Sequence, residues 1–600
     1  MWPVLVAVAG ASAALEAGRW PPHPPSAPDA AKTLRAVAKA TVLGLGRTWR
    51  LRIFASIARS RLARRAAMPG EALWQRSPAW LAETRCSDNS LCVRKVVVPT
   101  AQSQQVQSQQ VQPEQVQPEQ AQSFDAVVIG GGPAGYAAAL YGGRQGLRIA
   151  LVERGKVGGT CLHRGCIPAK ELLETASIYR TVRGAQAYGI GVEAASVDFA
   201  ATQVRKRKVV DQQYKGLQGL LKKCKVTTFA GTGSLQPGRV VRVEAEGGAV
   251  TELRAPAVLL AAGSLPRTIP GFEVDGRFVL TSDEVLDLEH LPKSAAVIGG
   301  GAIGCEFASM LSDLGVKVTV LEALPSILPG VDKDVTAVVA KSFARRGISI
   351  STGVTVTGHA PSKDGSSTVV RLVPSGAAGG GPGGAGEQSL EVEVVVVSVG
   401  RRPYSDNLVA PGCGVEVDER GFVKVDELMQ TSAEGVWAAG DLVATPGLAH
   451  VGFAEGMLVI DQLLGRDPVP IDYGKVPWCV YTHPEVAFVG YSEDAAREAG
   501  YDVVTKKDPF VGNGRAAILG DTEGLVKLIA ERRPDGSAGR LLGAHMAGPW
   551  VTEQLGQGYL AVNWEATVDE VAQFVQPHPS LSEVFGETML ALAGRGLHVG

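Results

Sequence analysis

The chain has 600 residues, a formal net charge of -1 and 45% hydrophobic residues. That length supports about two to four packed domains, and the balanced charge gives no reason to expect nucleic acid as a partner. Eight cysteines are too few for a disulfide scaffold in a chain this long. No apolar run reaches the roughly 18 residues of a spanning helix, which predicts a soluble protein with no membrane partner.

Residues 1–100 read as a targeting region. Between Ala30 and Gly70 there is no acidic residue, whereas Lys32, Arg35, Lys39, Arg47, Arg50, Arg52, Arg59, Arg61, Arg64 and Arg65 are basic. Arg-rich, acid-poor sequence fits an organelle transit peptide, with a plastid as the first expectation and a mitochondrion as the alternative. The apolar start, residues 1–13, lacks the basic flank of a secretory signal. Residues 101–123 form a Gln/Val/Pro/Glu tract that repeats the unit VQPEQ. Such a segment has too little apolar surface to offset ordering entropy and reads as a linker.

From Phe124 the pattern becomes regular. An apolar strand at Ala126–Ile129 enters a turn with Gly130, Gly132 and Gly135 in G-x-G-x-x-G spacing. A helix over Tyr136–Gln145 follows, and then a strand from Arg148 that ends at Glu153. In such a unit the first glycine allows the tight turn and the second lets backbone N–H groups approach a pyrophosphate. The third allows close helix–strand packing, and the acid takes ribose hydroxyls. The helix N-terminus adds about half a positive charge opposite the phosphates.

A few residues on, the segment Gly158–Lys170 reads GGTCLHRGCIPAK and holds Cys161 and Cys166. Two cysteines this close, at the start of a helix, can close a small disulfide, and a helix N-terminus favours the reactive thiolate. The other reading is a pair of inert buried thiols. Placement directly after the ribose acid favours the redox reading.

The dinucleotide unit then recurs. A strand at Ala295–Ile298 leads to Gly299, Gly301 and Gly304, and a strand over Lys317–Leu321 ends at Glu322. In both copies the acid lies 23 residues after the first glycine (130 to 153, 299 to 322). Glu322 would repel a 2′-phosphate, so the second unit should prefer NAD to NADP. The Gly/Ala-rich run Ser375–Gly386, between strand-like Thr368–Val373 and Val392–Val399, predicts a long hairpin loop. Beyond Pro477 the pattern changes to mixed strands and helices. There Gln576–Glu583 places His578 before a proline and five residues from a carboxylate. Taken alone, a His before a proline in a loop is more often structural; with the cysteine pair in the same chain, an imidazole of unperturbed pKa about 6.5 suits thiol proton transfer, and a carboxylate can fix its tautomer.

The segment Gly158–Lys170 resembles the active-site signature of the pyridine nucleotide–disulfide reductase family, and the resemblance extends over residues 124–595. Ala261–Ser264 resembles that family's exit from the first FAD segment, and Gly400–Pro403 its return crossing. Ala438–Asp441 resembles its second FAD segment, and Gly447–His450 the loop beside the isoalloxazine ring. Gln576–Glu583 resembles its His-Pro-Thr-x-x-Glu signature, with Ser580 in place of the threonine. His163 and Arg164 stand where many members have Asn-Val, which weakens assignment to one subfamily.

The resemblance implies an α/β fold with two Rossmann-like dinucleotide-binding domains, for FAD and NAD, and a C-terminal α+β dimerisation domain. The implied boundaries are 124–270 and 400–475 for the FAD domain, 271–399 for the NAD domain and 476–600 for the dimerisation domain. The implied catalytic residues are Cys161, Cys166, His578 and Glu583, with His578 acting across a two-fold axis in a homodimer. The implied cofactor-binding residues, besides the six turn glycines, Glu153 and Glu322, are Thr160, Lys170, Gly233, Ala262, Gly263, Ser264, Glu306, Gly400, Asp441, Gly447, Leu448, Ala449 and His450. No metal site is implied.

The activity implied is oxidation of protein-bound dihydrolipoamide by NAD⁺, with a lipoyl domain of a 2-oxoacid dehydrogenase or glycine cleavage complex as partner. A glutathione reductase is the first alternative, and Glu322 disfavours its NADPH. A mercuric reductase would need cysteines near the C-terminus, and none follows Cys479. A non-catalytic flavoprotein subunit is the alternative of a different class, which the Cys161, Cys166 and His578 set disfavours.

Overall fold

The computed structural model describes residues 124–375 and 386–598. The basic leader, the linker and the centre of the Gly/Ala insert lie outside the described residues.

The first unit starts with β1 (Ala126–Ile129), four apolar residues that are all buried. Strands buried on both faces read as continuous apolar runs, as here, rather than alternating ones. After β1 come α1 (Pro133–Arg144), with Pro133 in its first turn, and β2 (Ile149–Glu153), parallel to β1. Small residues on the buried face of α1, among them Gly135, Ala138, Ala139 and Gly142, let it lie close on its neighbours. Next come α2 (Gly159–Arg164), α3 (Cys166–Arg183) and the long α4 (Phe199–Lys223), whose Asp198 cap accepts from Ala201 N–H at 3.0 Å. The order continues with β3 (Thr227–Ala230), an antiparallel meander of β4 (Thr232–Gln236), β5 (Val240–Glu244) and β6 (Val250–Arg254), and then β7 (Ala257–Leu260). The parallel sheet runs β7-β1-β2-β3.

The chain leaves through β8 (Ser264–Pro266) and builds a second parallel unit. Its elements are β9 (Val279–Leu280), α5 (Ser282–Leu286), β10 (Ser294–Ile298), α6 (Ala302–Asp313), β11 (Lys317–Glu322), α7 (Lys333–Arg345) and β12 (Ser349–Thr352). A meander of β13 (Val354–Pro361), β14 (Thr368–Pro374) and β15 (Gln388–Val392) follows, and then β16 (Val394–Val397). The sheet order is β12-β11-β10-β16-β9. The insert connects β14 and β15, which pair antiparallel. The apolar run Val392–Val399 proves not to be one strand. It divides at Glu393, so that β15 ends the meander and β16 enters the parallel sheet.

The return crossing, β17 (Arg401–Pro403), pairs antiparallel with β8, so the two passages between the units form one two-stranded ribbon. β18 (Val436–Ala438) then joins the first sheet beside β7, and α8 (Ala449–Leu463) packs on α1. The last unit is antiparallel, in the order β19 (Trp478–Val480), β20 (Glu485–Gly490), β23 (Ala538–Gly548), β22 (Leu525–Arg532), β21 (Val503–Pro509). It includes α9 (Glu493–Glu498), α10 (Gly514–Leu519), α11 (Val551–Asn563), α12 (Val568–Val571) and α13 (Glu583–Leu592). Leu555 of α11 and Phe585 and Met589 of α13 share a buried core with Val526, Leu528 and Met546 of the sheet. Each such side chain contributes about 1.5–3 kcal/mol when fully buried. No helix among the described residues is long and apolar enough to cross a membrane.

Candidate active site

The two glycine turns repeat one geometry. At Gly130 an added Cβ would meet Ala261 O at 2.2 Å, and at Gly135 it would meet Gly130 O at 1.8 Å, whereas at Gly132 it would meet nothing within 4 Å. The second turn matches: Ser398 O at 2.5 Å from Gly299, Gly299 O at 2.0 Å from Gly304, and nothing within 4 Å of Gly301. Outer glycines locked against backbone and a central glycine facing open space make a cradle for a close-approaching group. Neither Gly132 nor Gly301 supplies a side-chain cap to its helix, so the first-turn N–H groups face that space, where a pyrophosphate is favoured.

The acids repeat as well. Glu153 accepts from Gly131 N–H and Gly155 N–H, both at 2.7 Å. Glu322 accepts from Gly300 N–H at 2.6 Å and Leu324 N–H at 2.7 Å. Each carboxylate oxygen keeps acceptor capacity for a ribose hydroxyl.

The redox segment sits against the first turn. Gly158 N–H donates to Gly131 O at 2.7 Å, and a Cβ on Gly159 (φ +57°) would lie 2.6 Å from Gly132 Cα. Cys161 in α2 and Cys166, the first residue of α3, form a disulfide with Cα atoms 4.6 Å apart. Once reduced, Cys166 stands at the positive end of an 18-residue helix, where a thiolate is favoured. His163 bonds Val157 O at 2.9 Å, and Arg164 reaches Asp283 at 3.6 Å. Thr160, in α2, is half-buried.

One turn into α3, Lys170 Nζ meets both oxygens of Glu306 on α6, at 2.7 and 2.9 Å. Lys170 also lies 4.8 Å from the Tyr481 ring centroid, and Tyr481 N–H donates to Glu306 at 2.9 Å. Burial pushes the Tyr481 phenol up to about 12, so it stays neutral beside the ammonium.

Ser264 Oγ donates to Asp441 at 2.5 Å, and Arg401 donates to Ser264 Oγ at 2.7 Å and Ser264 O at 2.8 Å. Arg401 thus ties the ribbon of β8 and β17 to the Asp441 turn. It lay within the Gly400–Pro403 signature, so its position was available as a signal although its role was not assigned. Gly400 O accepts from Arg267 N–H at 3.0 Å and Gly263 O from Tyr404 N–H at 2.8 Å; Ala262 lies between buried Ala261 and Gly263. Gly447 lies beside Asp441, where its Cβ would be 3.4 Å from Asp441 Oδ1. Leu448 caps α8, Ala449 starts it, and His450 Nε2 bonds Pro477 O at 2.9 Å. Gly233 in β4 packs on Ile129 and Val152, at the ends of β1 and β2.

His578 lies elsewhere, on the antiparallel unit. Its Nδ1 meets Glu583 Oε1 at 2.7 Å, and Glu583 Oε2 accepts from Ser580 N–H at 2.7 Å. Burial works to raise the Glu583 carboxyl, but the Ser580 N–H and His578 outweigh it and hold the group below its ordinary value of 4.5. The His578 side chain is 79% exposed, and Glu583 is its polar partner among the described residues. No metal-holding group of His, Cys, Asp and Glu occurs among the described residues.

Residues 124–456 match the pyridine nucleotide-disulphide oxidoreductase family, and residues 476–589 match the dimerisation domain of that family. The chain belongs to this FAD- and NAD-dependent family of oxidoreductases, and FAD and NAD are its cofactors. It is 38% identical over 484 residues to a dihydrolipoyl dehydrogenase of Bacillus subtilis, covering 79% of this chain and 99% of the relative. It is 37% identical over 477 residues to a dihydrolipoamide dehydrogenase of Chaetomium thermophilum, covering 79% of this chain and 92% of the relative. Among solved structures, LpdA of Mycobacterium tuberculosis superposes with a TM-score of 0.71 at 27% identity, covering 78% of this chain and 99% of that one. The HOCl-induced flavoprotein disulfide reductase RclA of Escherichia coli, in its Cu(II) complex, superposes at 0.69 with 26% identity, covering 78% and 99%.

Proposed function

We propose that this chain oxidises dihydrolipoamide carried on a lipoyl domain and passes the two electrons to NAD⁺, as a dihydrolipoyl dehydrogenase. The observation that carries the reading is the packing of Gly159 on Gly132, which sets α2, the helix that carries Cys161 of the disulfide, directly on the first glycine turn.

FAD would be held by the turn of Gly130, Gly132 and Gly135, with Glu153 for its ribose, and by Thr160, Gly233, Ala262–Ser264, Asp441 and Gly447–His450. Lys170, oriented by Glu306, would place a positive charge beside the flavin and favour its reduced form. NAD⁺ would be held by Gly299, Gly301, Gly304 and Glu322, with Gly400 at the crossing. The bound cofactors supply the electron relay that reoxidises the cysteine pair and yields NADH.

The chain's own chemistry is thiol–disulfide exchange. A substrate thiolate attacks Cys161 Sγ, the Cys161–Cys166 bond breaks, and Cys166 leaves as a thiolate. His578 of the partner subunit takes the proton of the second substrate thiol. That sulfur then attacks the mixed disulfide, closes the lipoamide ring and releases Cys161 reduced. Glu583 orients the imidazole and stabilises its charged form. A second copy of the chain suits the exposed apolar side chains just before His578, Phe574 at 69% and Val575 at 96%.

The partner is the lipoyl domain of a 2-oxoacid dehydrogenase or glycine cleavage complex, and the Arg-rich leader delivers the chain to an organelle, a plastid ahead of a mitochondrion. Steady-state assays with dihydrolipoamide and glutathione, each against both nicotinamides, test the activity. Turnover of glutathione with NADPH alone would overturn it. A fusion of residues 1–123 to a fluorescent protein tests delivery, and a cytosolic signal would refute it.

A further inference from the structure

One buried carboxylate belongs to none of the motifs. Glu455, near the middle of α8, is 0% exposed. Its Oε2 accepts from Gly440 N–H at 2.6 Å, and its Oε1 accepts from Thr445 Oγ1 at 2.7 Å and from Tyr473 OH at 2.9 Å. Three donors on two oxygens is an arrangement that suits an ionised carboxylate. Burial outweighs the three hydrogen bonds that pull the group down and, with the nearby Asp441 charge, holds the carboxyl above its ordinary value.

The three donors come from three different pieces of chain. Gly440, at φ +73°, precedes Asp441, and a Cβ there would lie 3.1 Å from Ala134 Cβ in the first turn of α1. Thr445 lies two residues before Gly447. Tyr473 opens the segment that enters the dimerisation domain, where Lys475 O accepts from Asn563 at 3.0 Å and Lys475 Nζ pairs with Glu565 at 3.3 Å. The helix that carries Glu455 is itself locked on α1, since a Cβ at Gly456 would sit 2.3 Å from Ala134 O.

We propose that Glu455 is a positioning residue of the flavin site. Its carboxylate clamps the Gly440–Asp441 turn and the loop from Thr445 to His450 against the first turn of α1, and through Tyr473 it makes flavin retention depend on the segment entering the dimerisation domain. The inference rests on the reading of Asp441 and Gly447–His450 as flavin contacts. Without an acceptor at this position, one amide N–H and two hydroxyls on half-buried residues lose their carboxylate partner, and the turn must move to replace it. A glutamine keeps part of the clamp: its oxygen can accept from Gly440, while its amide donates to hydroxyl oxygens that rotate to receive it.

The test uses the full-length chain loaded with FAD. The rate of FAD release is followed by flavin fluorescence in the parent, Glu455→Leu, Glu455→Gln and Tyr473→Phe, beside the melting temperature of each protein stripped of flavin. Release should quicken by at least about tenfold in Glu455→Leu, as expected for loss of charge-assisted bonds at a buried site, and less in the other two. A lowered melting temperature with parental release in Glu455→Leu, or release from Glu455→Gln as fast as from Glu455→Leu, would overturn the proposal. If Glu455→Leu does not fold, parental release from both Glu455→Gln and Tyr473→Phe overturns it. A parent that retains no FAD would defeat the flavin reading itself, whereas a parent that binds FAD no better than its variants defeats only the role of Glu455.

Discussion

Gly159 and Gly132 touch: the first residue of the redox helix stands so close to the central glycine of the first turn that a Cβ on Gly159 would lie 2.6 Å from Gly132 Cα. The segment that carries the disulfide therefore packs directly on the first glycine turn. Gly159 also has φ +57°, so Gly159→Ala meets both a clash and an unfavourable backbone conformation, together about 1–3 kcal/mol of strain. The expected outcome is a folded protein with lowered FAD content and slowed lipoamide turnover, read from the flavin absorbance of the purified variant.

The proposed preference for NAD⁺ assigns nicotinamide choice to Glu322. Its two oxygens already accept from Gly300 and Leu324 N–H groups, which fixes the carboxylate at the end of β11 beside the second glycine turn. Glu322→Ala should shrink the ratio of kcat/KM for NAD⁺ over NADP⁺, because the charge that repels a 2′-phosphate is gone. An unchanged ratio in paired steady-state assays would remove Glu322 from the specificity argument.

The acid–base pair makes a kinetic and a pH prediction. His578→Gln should slow the dithiol half-reaction by about 10²- to 10⁴-fold, the usual contribution of a positioned acid–base group, while NADH-driven reduction of artificial acceptors persists. Glu583 has its carboxyl lowered from 4.5 in the folded chain. Its stabilising contribution is therefore complete above pH 4.5 and is lost as pH falls through the lowered value. Carboxyl titration by NMR, comparing parent with Glu583→Gln, checks the direction.

The antiparallel unit is fastened to the second parallel unit by Lys527. Its side chain is 1% exposed and meets Asp332 at 2.9 Å, Asp334 at 2.7 Å and Glu493 at 2.8 Å. Asp332, which caps α7, is as deeply buried. Lys527→Ala would leave that carboxylate without its cation, a loss of about 3–5 kcal/mol, visible as a clear fall in the midpoint of denaturant unfolding. Lys527→Met with Asp332→Asn in the same chain should recover much of it.

The parts of this architecture that repeat were legible in the sequence. The glycine spacing and terminal acid mark Gly130 to Glu153 and Gly299 to Glu322 because a dinucleotide turn leaves few residue choices, and β1 and residues 295–298 of β10 announce themselves as apolar runs. Buried polar contacts over long sequence separations were not legible. Glu455 and Lys527 carry charges that pattern reading assigns to a surface, and only the donors of Gly440 and Tyr473, or the carboxylates of Asp332 and Asp334, explain their burial. The division of Val392–Val399 at Glu393 was likewise hidden. Periodicity alone gives no reason for an apolar run to serve two sheets, and it is Lys293 N–H, 2.7 Å from Glu393, that marks the change.

The most direct measurement is NADH formation from dihydrolipoamide and NAD⁺ by the parent, Cys161→Ser and Cys166→Ser, with NADH–acceptor activity recorded on the same samples. The parent should turn over dihydrolipoamide, and both serine variants should lose that activity while keeping NADH–acceptor activity, because only the dithiol half-reaction needs the disulfide. Lipoamide turnover that survives in both serine variants would contradict the account.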